Sequence, residues 1–248
     1  MSSMLPSLFV SHGSPMIALE PGAAGAFMRR LGPAFDAAFG RPKAIVTISA
    51  HTAARLPVVL AAARHEAIYD FGGFDPRLQT LRYDAPGAPA LATRVVDALA
   101  AVGIAAQRSD EGGLDHGAWT ALRFLYPTAD IPIVPVAFVP TDLPSQQFAL
   151  GRALAPLAEA GVLILASGSI THNLGRIFRH GLRPDEAQPE IAESAAFRAW
   201  MAARAAEADW DALFAYRSRA PFAVDMHPTD EHLLPWFVAA GAGGRAAP

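Results

Sequence analysis

Five short segments, residues 8–10, 44–49, 58–62, 131–138 and 162–166, are rich in Val, Ile and Leu and do not alternate with polar residues. That is the pattern of strands buried on both faces of a sheet. Between them lie Ala- and Leu-rich stretches with helical spacing at 23–39, 89–102, 117–125, 146–160, 190–208 and 230–240. The alternation predicts an α/β fold, one domain over 1–248, with a mainly parallel or mixed central sheet flanked by helices. No internal repeat or long linker breaks it. Residues 71–89 and 180–189, which carry Pro and Gly, are the expected long loops, and loops on a rigid scaffold often supply substrate contacts.

Composition narrows the function. With 52% hydrophobic and 17% charged residues the chain is too apolar to be disordered. A formal net charge of −3 offers no basic footprint, so no nucleic-acid partner is expected. There is no cysteine, which excludes disulfide scaffolds, thiol nucleophiles, iron–sulfur clusters and Cys-ligated zinc. A transition metal would have to be held by imidazole and carboxylate. Pro6 and His12 interrupt the only candidate leader, and no run approaches the ~18 apolar residues of a membrane span. The expectation is a soluble, cytoplasmic protein with no membrane partner.

Four of the eight histidines sit in short motifs suited to holding a metal: Ser11-His12-Gly13-Ser14-Pro15, Ser49-Ala50-His51-Thr52, Ser169-Ile170-Thr171-His172-Asn173 and Asp230-Glu231-His232. The first three follow apolar runs directly, so their imidazoles would emerge at strand ends, where open α/β sheets place their chemistry. A lone histidine near a strand end is more often a structural hydrogen-bonding group than a ligand. Joint placement carries the argument, together with small neighbours that leave room for a ligand and for hydrogen bonds fixing each ring. Thr229 is expected to cap a helix whose first turn holds Asp230, Glu231 and His232, with the helix dipole keeping His232 neutral; Pro235 would sit one turn in.

Eight further stretches, in order "LFVSHGSPM", "RPKAIVTISAH", "YDFGGF", "YDAPGAP", "LDHGAW", "YPTADIPIVPV", "LASGSITHNL" and "HPTDEHLLPW", span Leu8 to Trp236. By these the chain resembles the class III extradiol ring-cleaving dioxygenases of the LigB-like superfamily, and most closely their 4,5-DOPA dioxygenase branch. The resemblance implies a non-haem metal enzyme that opens a catechol ring beside its two hydroxyls with O2. His12 and His51 fall on the family's metal-binding histidines, and the register of "HLLPW" puts His232 at the third position. His172 matches the histidine assigned as acid/base in the superfamily, which in this branch also approaches or binds the metal. His116 in "LDHGAW" matches a further pocket histidine. The family carries a further strand after the region of Gly241–Gly244.

Fe(II) suits this chemistry because it leaves open positions for a catecholate and for O2 beside a few fixed ligands. The metal lowers the hydroxyl pKa, and a neutral imidazole, His172, takes the remaining proton and returns it later. His116 would hydrogen-bond the substrate oxygens, although Asp115-His116-Gly117 also reads as a loop-to-helix cap. An all-histidine set suits Zn(II) as well, the expected metal in protein as purified. The implied partners are a catecholic small molecule and O2, with the protein a monomer or homodimer. Two alternatives remain open: a zinc-dependent hydrolase, and a non-catalytic metal-binding interaction protein on the same fold.

The remaining candidates have plainer readings. His65 and His180, flanked by Arg, are expected to be exposed. His227 stands either behind the ligands or in an exposed turn before Pro228. Phe71, Phe74 and Trp119 are either ring-stacking or packing residues. Ser14 and Ser169 lack a G-x-S-x-G elbow, and "FGGF" has too few glycines for a phosphate loop.

Overall fold

The computed structural model describes residues 4–179 and 189–243. Its strands are β1 (Leu8–Ser11), β2 (Ala44–Ser49), β3 (Val58–Leu60), β4 (Arg64–His65), β5 (Ala85–Pro86), β6 (Gln107–Ser109), β7 (Ile133–Ala137) and β8 (Val162–Gly168). The helices are α1 (Gly22–Phe39), α2 (Pro89–Ala100), α3 (His116–Leu125), α4 (Pro144–Leu154), α5 (Leu174–Arg179), α6 (Ala192–Ala206), α7 (Trp210–Phe214), α8 (Tyr216–Arg219), α9 (Ala223–Met226) and α10 (Leu234–Ala242). Six strands form one mixed sheet in the order β1-β8-β2-β7-β3-β6, while β4 and β5 form a separate antiparallel pair. Every pairing in the large sheet is parallel except β3 with β7.

Alternation along the central strands builds two cores. Val46, Ile48, Val134, Val136 and Ile164 face α2, α4 and α10 through Val95, Leu150, Leu154 and Phe237. Ile45, Ile133, Leu163 and Leu165 face α1 and α3 through Met28, Phe35, Trp119 and Leu122. Because both faces are covered, β2 and β8 are buried at every position, which is why their sequences do not alternate.

Several expectations need correction. The 146–160 helix is two elements: α4 stops at Leu154 and residues Ala155–Ala160 continue as a 3-10 turn around Pro156, which lacks the N–H an α-helix would use. The last helix begins at Leu234, so Thr229 does not cap a turn holding His232; Pro235 takes the first-turn position that proline prefers, and the chain before it is turn. The strands at Arg64–His65, Ala85–Pro86 and Gln107–Ser109 are too short to show a period. His65 is fully buried rather than exposed, because a strand sends neighbours to opposite faces and only Arg64 points out. His180 lies outside the described residues, as do residues 244–248. No helix among the described residues is long and apolar enough to cross a membrane.

Candidate metal centre

The sheet order explains how distant histidines meet. β1, β8 and β2 are adjacent and parallel, with Ser11 beside Gly168 and Ser49 beside Ser167, so their carboxyl ends share one edge. His12 and His51 leave that edge directly. His172 follows β8 in a loop tied down by its own N–H, which donates to Met226 O at 2.8 Å. The turn before α10 brings His232, and Ser169 N–H donates to the carbonyl of His232 at 2.8 Å. A side chain at Gly168 would collide with that carbonyl, so the close approach requires glycine. His116 is the first residue of α3, capped by Asp115, whose side chain accepts from Ala118 N. The loop-to-helix cap reading of Asp115-His116 holds, and the same turn delivers the His116 imidazole to the cluster.

All five imidazoles gather in one place. Donor atoms of His12, His51 and His116 lie within 4.8 Å of one another, and those of His172, Glu231 and His232 form an adjoining group. The ring centroids of His12, His51 and His232 make a nearly equilateral triangle of 5.1, 5.4 and 4.9 Å. Imidazoles bound to one metal at about 2.1 Å have centroids roughly 4.5–5.2 Å apart. The triangle matches that spacing closely. Two other pairs are too close for it: His51 and His116 at 3.9 Å, and His172 stacked on His232 at 3.4 Å with 9° between planes.

Hydrogen bonding assigns the proton on the His12 and His232 rings. The single hydroxyl proton of Ser167 goes to Gly117 O at 2.6 Å, so its oxygen accepts from His12 Nδ1 at 2.9 Å. His12 Nε2 is therefore a bare acceptor. His51 Nδ1 faces Asp70 Oδ2 at 3.9 Å, and its Nε2 lies 3.2 Å from His12 Nε2. A proton on His51 Nε2 makes that contact a hydrogen bond to His12; with the proton on Nδ1 instead, the two lone pairs point at each other, an arrangement that a shared cation satisfies. His232 Nδ1 meets Glu231 Oε1 at 3.1 Å, leaving its Nε2 free. The donor set thus fits a transition metal held by neutral imidazoles.

The electrostatics agree. Burial, with the neighbouring imidazoles adding to it, holds His12 well below its ordinary range and His51 down to about 3. Burial first and His232 second lower His172 to about 4. Glu231 is lowered to about 2, chiefly by its hydrogen bond to His232. Burial pushes the Asp70 carboxyl up, but hydrogen bonds from the ring and backbone N–H of His116 outweigh it, and Asp70 lies below its ordinary range. His12, His51 and His172 are neutral imidazoles near pH 7, with the carboxylates of Asp70 and Glu231 beside them.

Two carboxylates play matching parts. Asp70 reaches His116 at 3.0 Å and His51 at 3.9 Å, while Glu231 reaches His232 at 3.1 Å and His172 at 3.9 Å. Asp70 was not among the candidates drawn from sequence; its signal is an acid in "YDFGGF", the type of group that orients a metal-site histidine. Ser167, and Asp115 acting through Ser49 at 2.6 Å and through Thr52, lie inside the quoted motifs, although the sequence reading does not pick them out as supports of the imidazoles.

The cluster floors a cavity of about 720 Å³, with Phe71 and Phe74 on its wall. Trp119 is not on that wall; it is fully buried in the core with Nε1 donating to Ile68 O at 3.1 Å. His227 is not in an exposed turn. It is fully buried, and its Nε2 bonds the Ile170 carbonyl at 2.7 Å, bracing the loop that carries His172. Ser14 caps a short 3-10 turn and Ser169 donates to Thr171 O, both structural roles.

An open α/β sheet with imidazoles converging at the carboxyl ends of adjacent parallel strands has the layout in which such folds place their active sites. The chain belongs to the LigB family, described as the catalytic LigB subunit of aromatic ring-opening dioxygenase, which it matches over residues 6–248. Its class is accordingly that of oxidoreductases acting on aromatic rings. It is 36% identical over 245 residues to the 4,5-DOPA dioxygenase extradiol of Beta vulgaris, covering 96% of this chain and 87% of that one. It is 35% identical to the protein of the same name from Portulaca grandiflora, with 98% and 88% covered. A crystal structure of an Escherichia coli K12 protein superposes with a TM-score of 0.78 at 30% identity, covering 98% and 91% of the two chains.

Proposed function

We propose that the protein is an extradiol dioxygenase in which His12, His51 and His232 hold a non-haem Fe(II) and a catechol is cleaved beside its two hydroxyls with O2. The observation that carries this reading is the triangle of three imidazoles, those of His12 and His232 with bare Nε2 atoms, at the base of a cavity of about 720 Å³. Bound iron would supply Lewis acidity toward adjacent hydroxyls and a one-electron route to O2. Zn(II) is expected to occupy the same imidazoles in protein as purified, since it binds such sites more tightly than iron does.

The chain's own groups do the rest. His172, lowered to about 4, is a neutral base near pH 7 and accepts the second hydroxyl proton of the substrate. Its ring lies parallel to that of His232 and stacked on it at 3.4 Å, so the two rings would not both hold the same ion. That geometry supports a proton-transfer role over ligation. His116 is anchored through Nδ1 to Asp70 and directs its other nitrogen toward the cavity, where it orients the substrate oxygens. Phe71 meets the His116 ring edge-on at 5.6 Å and packs beside the substrate.

The reading includes a cytoplasmic location, catechol and O2 as partners without nucleic acid or membrane, and a monomer or homodimer. Membership of a ring-opening dioxygenase family disfavours the zinc hydrolase and the non-catalytic metal protein. The test is anaerobic loading with Fe(II), followed by a catechol panel under O2 and under argon. Oxygen uptake matched by a coloured ring-opened semialdehyde, absent under argon, is the expected result. Oxygen-independent ester hydrolysis by the zinc form would replace this reading with the hydrolase.

A further inference from the structure

The cavity is far larger than a bare catechol requires. At about 720 Å³ it falls within the roughly 300–1,000 Å³ of sites for drug-sized ligands. The catechol oxygens belong at the imidazole floor, so the remaining volume faces whatever the ring carries opposite them. Besides the imidazoles and a few polar groups such as Asn173 and Ser194, the cavity is lined by Phe74, Leu174, Ile177, Phe178, Ile191 and Met226. Four of these are large apolar side chains left substantially exposed: Phe74 at 38%, Leu174 at 43%, Phe178 at 62% and Ile191 at 40%. Exposed apolar groups scattered singly need no explanation, but four around one cavity mark a binding surface.

The charged groups on the same wall are already engaged. Arg176 is the only Arg or Lys among the described lining residues. Its guanidinium is held by Asp225 and by Glu193 at 2.9 Å. Glu190 is held by Arg198 through two contacts of 2.9 and 2.8 Å and by Ser194 at 3.1 Å. A substrate carboxylate would have to break the Arg176 pairs, and it would meet two acids there. A neutral apolar substituent meets no such obstacle.

We propose that the substrate class of this enzyme is a catechol carrying an uncharged apolar substituent, alkyl or aryl, rather than one carrying a carboxylate or an amino-acid side chain. The proposal rests on the dioxygenase reading above for the reaction and on the cavity wall for the substituent. Each buried methylene is expected to raise kcat/KM about fourfold, so 4-butylcatechol gains on the order of 10²-fold over catechol. DOPA and 3,4-dihydroxybenzoate fall at or below catechol.

The experiment has two arms. In the first, kcat/KM of the Fe(II)-loaded protein is measured by O2 uptake for catechol, 4-butylcatechol, DOPA and 3,4-dihydroxybenzoate, in the native chain and in Leu174→Ser and Phe178→Ser. The expected result is the order above, with the 4-butylcatechol to catechol ratio falling about tenfold in each variant. DOPA or 3,4-dihydroxybenzoate exceeding 4-butylcatechol, or an unchanged ratio in both variants, overturns the proposal while leaving the dioxygenase reading intact. In the second, 4-butylcatechol and DOPA are titrated into metal-free protein by calorimetry. Tighter binding of 4-butylcatechol by at least tenfold, with a negative heat-capacity change, supports the proposal even if no catechol is turned over, a result that would defeat only the dioxygenase reading. Equal affinities overturn it.

Discussion

His172 lies flat on His232, with ring centroids 3.4 Å apart and 9° between their planes. An imidazole binds a metal through a lone pair in its ring plane, so two stacked rings cannot both aim at one ion. On the proposed reading His232, with Nδ1 fixed by Glu231, would ligate and His172 would move a proton. We expect His172→Ala to retain its metal by elemental analysis while ring cleavage falls roughly 10²- to 10⁴-fold. Loss of metal in that variant would make His172 a ligand; full activity would end the proton-transfer role. By contrast, His12→Ala, His51→Ala and His232→Ala are each expected to lose the metal.

The Ser167 hydroxyl sets the tautomer of His12 by accepting from Nδ1 while donating to Gly117 O. Removing it leaves a buried N–H without a partner and frees the ring to turn. Ser167→Ala is expected to weaken metal affinity about 10- to 100-fold, the usual effect of losing a group that orients a ligand. Competition with a chelator measures this, and an unchanged affinity would show that packing alone holds the ring.

Gly117 tests the same ring from its other side. A side chain there would press on Ser49 Oγ and on the Cε1 and Nδ1 atoms of His12. Gly117→Ala is expected to fold, since residue 117 lies within helix α3, yet to bind metal more weakly. Native-like circular dichroism with native metal affinity would show that the ring has slack.

The central strands and the four metal-motif histidines were legible in the chain because both follow from short-range pattern: unbroken apolar runs, then a histidine among small residues. The family resemblance singled out His116, which the structure places beside the other four imidazoles. What escaped depended on contacts across long stretches of sequence. Asp70 matters only because the fold sets it 3.0 Å from the His116 ring, 46 residues away. Arg64 beside His65 suggested exposure, yet a two-residue strand buries one of the pair. The helices between Trp210 and Met226 are too short to show a helical period. At the start of α10 the capping pattern of Thr229 competed with Pro235, and proline's preference for the first turn prevailed.

Chelation by adjacent oxygens sets a further expectation. Catechol should be turned over by the Fe(II)-loaded protein, while resorcinol and the mono-methyl ether of catechol should not, because neither can present two ionisable oxygens side by side. Apolar contacts alone separate such close analogues by only about 1–3 kcal/mol. Comparable O2 uptake with catechol and its mono-methyl ether would rule out two-oxygen binding.

The buried histidines also make the metal-free protein sensitive to acid. His12, His51, His65, His172 and His227 all lie below the ordinary value of 6.5, in each case with burial as the largest cause. Below pH 6.5 the unfolded chain therefore binds more protons than the native one, and stability rises with pH across that window. The contribution is complete above 6.5 and is lost as pH falls toward about 4 for His172 and about 3 for His51. Glu231, lowered to about 2, acts in the same direction once pH passes below its ordinary 4.5. Asp115 opposes them, since burial raises its carboxyl despite the hydrogen bonds from Ser49 and Thr52, and its neutral form favours the native state as pH falls. Asp142, raised by burial, opposes them too, but with five imidazoles against two carboxyls the Tm of metal-free protein is expected to drop steadily from pH 7 to 5 in scanning calorimetry. His172→Asn should flatten the slope, because one group that must shed its proton on folding is gone. A Tm that stays level over that range would mean that these imidazoles are protonated as readily in the folded protein as in the unfolded chain.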